Sequence, residues 1–484
     1  MRASLRAACL GLLGASMATL ISCGGGGGAS SLTQAPMPMV SLTANPTSVT
    51  SGQSSTLTWS STNATSCTAS GAWSGSQTTS GTASTGALTA AATYTLSCTG
   101  SGGTSQASAS VALTTPTANQ VALIVEPGPA NRVNTLFTSV TICAPGTSTC
   151  QTIDNIQVDT GSSGLRILSS VLSSSITLPA KLASDGNSLV ECTKFVDGYS
   201  WGPIAAADLT IAGETASNVA VQVIGDPGFS SRVPMACSSA GPAENTVAAF
   251  GANGILGISV FAEDCGAACA NSVSQGFYYS CTASACSPII VALASQLPNP
   301  VLKFATDNNG VIVQLPSVPA QGQATLAGTL TFGIDTQANN QSGTQKVLTL
   351  DSVGNFTAVY NGQSLTQSFF DTGSSGYYFN DSAITPCGTT YAGFYCPNSA
   401  LTLSATLQGA NSVSTTESFS IGNAQTEGNA NPTFAVFGNL GGTYPTSAGT
   451  STFDWGLPFY FGKTTYTAFE GKTTSGGTGP YVAF

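Results

Sequence analysis

The hexapeptide Asp-Thr-Gly-Ser-Ser-Gly stands twice in this chain, at 159–164 and at 371–376, with the copies 212 residues apart (371 − 159). A six-residue identity is improbable by chance, even in a sequence rich in Ser, Thr and Gly. Each copy follows a short apolar run, Ile156-Gln157-Val158 or Phe369-Phe370, and each is followed by another, Leu165 to Leu168 or Tyr377 to Phe379. The pattern predicts strand, tight glycine-containing turn opening on Asp, strand. Two such turns facing each other bring two carboxylates together. Carboxylates that share a proton can act as general acid and general base on one water.

Composition narrows the chemistry. The chain has no histidine in 484 residues, which excludes Ser-His-Asp and Cys-His catalysis and His-ligated zinc. A carboxylate pair survives. A Ser-Lys pair survives in principle, but the sequence holds no Ser-x-x-Lys. No cofactor and no metal is expected. Eleven basic residues stand against 21 acidic ones, which disfavours nucleic acid and anionic membrane surfaces as partners. Solubility rests on Ser, Thr, Asn and Gln. Such a surface tolerates low pH, since few ion pairs are lost when carboxylates protonate.

The N-terminus reads as an export signal. Arg2 and Arg6 precede an apolar stretch from Ala7 to Ile21 that is too short for a membrane span. Leu20-Ile21-Ser22-Cys23 resembles a bacterial lipobox with Cys23 as the lipidated residue; the plain alternative is an ordinary signal peptide with an incidental Cys. The expectation is a signal at 1–22, a flexible tether at 23–37, and a monomeric outer-membrane lipoprotein, facing the periplasm or the surface and held by its lipid alone. Of the 14 cysteines, removing Cys9 and Cys23 leaves an even number, as export predicts. Neighbours in sequence suggest Cys67–Cys98, Cys143–Cys150, Cys192–Cys237 and Cys387–Cys396. Cys265, Cys269, Cys281 and Cys286 are expected to form two further bridges of open connectivity, with zinc binding as the less favoured alternative.

Residues 38–115 alternate apolar and polar side chains between Ser/Thr/Gly turns, as in Ser55-Thr56-Leu57-Thr58-Trp59 and Tyr94-Thr95-Leu96-Ser97-Cys98. With a Trp and a Cys pair, they look like a small immunoglobulin-like sandwich serving as a spacer. Residues 119–484 are strand-rich throughout. Each Asp-Thr-Gly is followed by an apolar-apolar-Gly element, Gly254-Ile255-Leu256-Gly257-Ile258 in the first half and Trp455-Gly456-Leu457-Pro458 in the second. Two β lobes related by a pseudo-dyad, 119–310 and 311–484, explain the pairing.

These residues resemble the pepsin-like aspartic peptidases. Both Asp-Thr-Gly-Ser turns match. Asn253 to Ile258 is similar to that family's Asp-Gly-Ile-Leu-Gly-Leu element. Gly328 to Asp335 looks like the strand opening its second lobe, and Phe459 to Phe469 like its Val-Phe-x-Arg-x-Tyr-Tyr-Thr-Val-Phe stretch. The arrangement also looks like a family of bacterial lipoproteins. The resemblance implies an all-β, bilobal, double-barrel domain behind the immunoglobulin-like module, acting as a peptidase on a peptide or protein substrate. It implies Asp159 and Asp371 as the catalytic pair and Thr160 and Thr372 as braces between the turns. Gly161 and Gly373 are implied as backbone donors, and Ser162 and Ser374 as partners of the carboxylates. It places a substrate-covering flap near Tyr199 and Trp201, although the family's Tyr-Gly order is reversed there; the alternative is two aromatics packed locally. Gly164 departs from the usual Asn, and Gly456-Leu457-Pro458 from Leu-Gly-Asp. The competing readings are a binding protein whose cleft holds a peptide or glycan unbroken, and a structural envelope protein.

Overall fold

The computed structural model describes residues 35–50, 54–86, 88–114, 119–445 and 450–484. The signal, Cys23 and most of the tether lie outside these residues. Contacts divide the chain into two compact units, Met1–Thr114 and Thr115–Phe484.

In the first unit, alternation sets the burial. Leu57 and Trp59 of Thr56–Thr62 point inward while Thr56, Thr58 and Ser60 face solvent. A sheet of Met39–Asn45, Thr56–Thr62 and Ser80–Ser84 accompanies a five-stranded sheet that includes Ser66–Gly71, Ala92–Gly100 and Gly103–Thr114. Leu42, Leu57 and Trp59 from one sheet share a core with Tyr94, Leu96 and Val111 from the other. One detail departs from the immunoglobulin pattern, in which the bridge joins the two sheets. Cys67 and Cys98 are direct register partners on neighbouring strands of one sheet, with Cα atoms 4.0 Å apart.

The second unit is mostly β, with barrel-like sheets. A fifteen-stranded sheet curls so that Tyr199–Ile211 pairs both with Glu214–Ile224 and with Leu136–Cys143. A seven-stranded sheet is built from residues after Val353, including Gln363–Phe370, Tyr377–Tyr378 and Asp454–Trp455. Between the halves the large sheet runs through Gln120–Val125, Leu326–Phe332, Gly310–Leu315, Lys463–Ala468 and Tyr481–Ala483 in that order. One apolar core spans both halves, from Leu123 and Val158 to Trp455 and Val482.

The duplicated motif is a duplicated piece of topology. Cys150–Asp159 runs parallel to Gly254–Ile258, with Asp159 opposite Gly257, and Ser163–Leu168 flanks Gly254–Ile258 antiparallel on its other side. In the second half Gln363–Phe370 runs parallel to Asp454–Trp455, and Tyr377–Tyr378 flanks that strand antiparallel. Each motif loop therefore leaves one strand and re-enters the sheet two places over, astride a strand supplied by distant sequence. That geometry fixes each loop at both ends.

Among the described residues six disulfides close local segments. Four are Cys67–Cys98, Cys143–Cys150, Cys192–Cys237 and Cys387–Cys396, and the open connectivity resolves as Cys265–Cys269 and Cys281–Cys286. The latter pairs occupy every thiol that a zinc ion there would need. Among the described residues no helix is long and apolar enough to cross a membrane.

Candidate active site

The two loops meet tip to tip. Asp159 ends its strand with both oxygens held by its own loop: Gly161 N–H donates to Oδ1 at 2.7 Å and Ser162 Oγ donates to Oδ2. Asp371 repeats the arrangement, with Gly373 N–H on Oδ1 at 2.6 Å and Ser374 Oγ on Oδ2 at 2.9 Å. The glycines are needed because each faces the opposite carboxyl group. A β-carbon at Gly161 would lie 2.8 Å from Asp371 Oδ1, and one at Gly373 would lie 2.8 Å from Asp159 Oδ1. A β-carbon at Gly373 would also lie 2.9 Å from Asp371 Oδ1, so the two carboxyl groups converge on one point between the loops. Two carboxyl groups held this close are placed to share a proton.

Below the pair, the threonines cross. Thr160 N–H donates to Thr372 Oγ1 at 3.1 Å and Thr372 N–H to Thr160 Oγ1 at 3.0 Å. Each hydroxyl then donates across the junction, Thr160 to the Phe370 carbonyl at 3.3 Å and Thr372 to the Val158 carbonyl at 2.8 Å. Tyr460 Oη lies 3.0 Å from Thr160 Oγ1. Gln157 Nε2 donates to the Gly373 carbonyl at 3.0 Å, and buried Asn134 donates to the Ser375 and Phe437 carbonyls, both at 2.8 Å. The pair thus sits on a satisfied polar network that both halves contribute to.

Electrostatics set the proton. Burial, then the Asp159 charge, then Asp454 hold the Asp371 carboxyl well above the usual carboxylate range. Asp454 is a third carboxyl behind Ser374, buried and pushed up to about 8 by burial, with the Asp159 charge adding to the shift and a Ser374 hydrogen bond opposing it. Beside the pair lies a cavity of about 220 Å³ lined by Gly161, Phe261, Leu350, Val353, Phe369 and Phe370, among others. Its walls are mostly apolar.

A family model described as "Protein of unknown function (DUF3443)" matches residues 115–484. The chain belongs to the DUF3443 family. A search of the curated proteins finds no match. Among solved structures, an aspartic proteinase from Irpex lacteus is similar at 16% identity and a TM-score of 0.43, over 76% of this chain and 96% of that one. What the DUF3443 domain can do therefore rests on its own loops.

The flap assignment of Tyr199 and Trp201 needs correction. Both are buried, in a cluster with Val190, Tyr279 and the Cys192–Cys237 bridge. Trp201 is 1% exposed, its Nε1–H donates to the Phe229 carbonyl at 3.0 Å, and its ring meets Tyr279 edge-on at 5.2 Å. Tyr199 is laced to the segment at Pro242–Glu244 by Tyr199 N–H to the Pro242 carbonyl and Glu244 N–H to the Tyr199 carbonyl. The physical reason is that residues 229–243 and 278–281 cover this face of the hairpin. The charge of Asp197 contributes to raising the Tyr378 hydroxyl, after burial and the charge of Asp454.

Two buried features of the DUF3443 domain escape the sequence patterns. Arg166 lies just beyond the first loop. Its Nη2 contacts Glu191 Oε1 at 2.6 Å and Asp264 Oδ2 at 3.3 Å, and its Nη1 donates to the Ser163 carbonyl at 2.7 Å. Asp454 is the other. The available signal is common to both: a lone charge inside an apolar run, Leu165-Arg166-Ile167 and Phe453-Asp454-Trp455.

Proposed function

We propose that residues 119–484 form a bilobal pepsin-like domain that hydrolyses peptide bonds by a water held between Asp159 and Asp371. The observation that carries this reading is the convergence of the two carboxyls, each gripped by an equivalent glycine N–H and serine hydroxyl. With the shared proton lodged toward Asp371, Asp159 takes the proton of the attacking water while Asp371 donates to the carbonyl oxygen of the scissile bond. The loop donors and threonine cross-brace hold both carboxyls before substrate arrives, so little reorganisation accompanies reaction. The apolar cavity next to Gly161 suits one apolar side chain of an extended peptide. No cofactor is required.

The remaining parts fit an exported peptidase. Lipidated at Cys23, the monomer would be tethered to the outer membrane, with residues 38–115 as an immunoglobulin-like spacer. Cys23→Ala is then expected to move the protein from the membrane to the soluble fraction of its native host; unchanged pelleting would mean another anchor, because acyl chains supply the affinity in this scheme. The central experiment incubates the mature chain with a peptide library from about pH 3 to 7, with and without a statine-type inhibitor, since dyad chemistry needs one shared proton. Inhibitor-sensitive cleavage is expected. Tight inhibitor binding with no cleavage would replace the peptidase with a peptide-binding protein.

A further inference from the structure

Ser374 has one hydroxyl proton and two carboxyl neighbours. Its Oγ lies 2.9 Å from Asp371 Oδ2 and 2.6 Å from Asp454 Oδ2. A hydroxyl donates once. The second contact is a hydrogen bond only if a carboxyl O–H donates to Ser374 Oγ. The environment says which carboxyl that is. Asp454 Oδ1 is buried with no hydrogen-bond partner. An ionised Asp454 would strand charge on that oxygen, whereas a neutral acid leaves only a weak acceptor unpaired. Asp371 by contrast has Gly373 N–H on its other oxygen. The chain of donors in the resting site therefore runs from Asp454 to Ser374 to Asp371.

The first loop has no such extension. Ser162 is bonded to Asp159, and the strand opposite it, Gly254–Ile258, carries no acid. The groups facing Asp454 from the elements around it are Asp159 and Asp371 on the loops, Tyr378 on the flanking strand, Tyr444, and Tyr460 at the threonine brace. Burial raises the three tyrosines, so the carboxyls alone exchange protons below alkaline pH.

We propose that Asp454 is a positioning residue for the proposed hydrolysis, coupled to Asp371 through Ser374 Oγ, so that the site works as three carboxyls and not two. When Asp454 ionises, the Ser374 hydroxyl turns to it. Asp371 then loses a donor and faces an added negative charge. Both changes make the Asp159–Asp371 pair hold its working proton to higher pH than a pair standing alone.

The test compares the full chain with D454N and S374A. Asparagine fixes position 454 as a neutral donor and removes the charge that appears on ionisation. Infrared absorption of protonated carboxyl groups near neutral pH should lose one band in D454N. In S374A the band should remain but shift to the higher frequency of an acid without its acceptor. In peptide hydrolysis, the alkaline limb of the D454N profile should move down by about one pH unit or more, a loss of about fivefold at the wild-type midpoint, with the acid limb unmoved. An infrared spectrum unchanged in D454N, or an alkaline limb that stays or moves up, overturns the proposal. If D454N does not fold, an unshifted band in S374A overturns it. The activity arm rests on the peptidase reading and the infrared arm does not. A chain that cleaves nothing yet loses the band in D454N refutes the peptidase and keeps the shared proton.

Discussion

The two halves of the site are identical in motif and opposite in backing. Behind the first loop stands a charged cluster, Arg166 between Glu191 and Asp264, with Tyr278 Oη on Asp264 at 2.7 Å. Behind the second stands an aromatic wall. Phe453 stacks on Trp455 at 4.3 Å and on Phe379 at 4.5 Å, with Phe419 edge-on to both Phe453 and Trp455. The loops behave alike because their bonds are local, from Asp to residues two and three positions on. Any backing that fixes the flanking strands serves the loop. The backings differ in what can undo them: a buried ion cluster fails when one charge is removed, and an aromatic wall fails when volume is removed.

The largest expected effect breaks the symmetry of the pair itself. Asp159→Asn and Asp371→Asn should each lower peptide hydrolysis by ~10²–10⁴-fold while the melting temperature holds or rises, because an amide keeps the shape, relieves repulsion and cannot fill both proton roles. A variant retaining more than about a tenth of wild-type turnover rules out the dyad, given the usual size of general acid–base terms. Next comes the contrast of walls. Arg166→Met leaves two buried carboxyls uncompensated and should cost about 3–5 kcal/mol in urea unfolding. Replacing Arg166, Glu191 and Asp264 together by apolar residues should recover most of that loss, whereas no second substitution of like size rescues Phe453→Ala. If the triple variant is no better than Arg166→Met, the first wall works by volume, as the second does, and the contrast is wrong.

A third measurement uses pH. Asp454 is held near 8 in the fold against 3.8 in the open chain. In that window the folded state binds more protons than the unfolded one, so its contribution to stability falls as pH rises, by at most about 1.4 kcal/mol per pH unit. Urea midpoints of wild type should therefore decline from pH 5 to 8 more steeply than those of D454N; parallel declines would show that Asp454 is ionised in both states. The smallest effect concerns the brace. Thr160→Val strands the buried Tyr460 hydroxyl as well as breaking the crossed bonds, and Thr372→Val does only the latter. Thr160→Val should be the worse by about 1 kcal/mol. Equal losses would remove Tyr460 from the brace.

The motif loops and the strands between them were legible because two local signals agreed, a repeated Asp turn and a repeated apolar-Gly element at matching distance. The flap assignment failed because exposure depends on what packs from elsewhere. The Gly-flanked aromatics of 197–202 suit a mobile tip equally well, and nothing in that stretch announces that Tyr279 and residues 229–243 cover it. Cys192 and Cys237 were the clue, since a bridge there ties the hairpin to its cover. Asp454 and Arg166 hid for another reason. A period-based reading treats a lone charge in an apolar strand as noise, whereas burial makes that charge the most consequential residue of the strand. Asn134, which crosses between halves, carries no local signal at all.

The sheet between the halves interleaves strands from far apart in the chain: Gln120–Val125 beside Leu326–Phe332, and Lys463–Ala468 between Gly310–Leu315 and Tyr481–Ala483. This dictates an order of events in synthesis. A chain emerging N-terminus first can shape the loop at Asp159 early, but the Tyr460 hydroxyl that steadies Thr160 arrives some three hundred residues later. Loop closures of that span come late in folding. The carboxyl pair is thus completed among the last events, after nearly the whole polypeptide has been delivered, and a chain cut short before Asp371 carries half a dyad with no partner to share its proton.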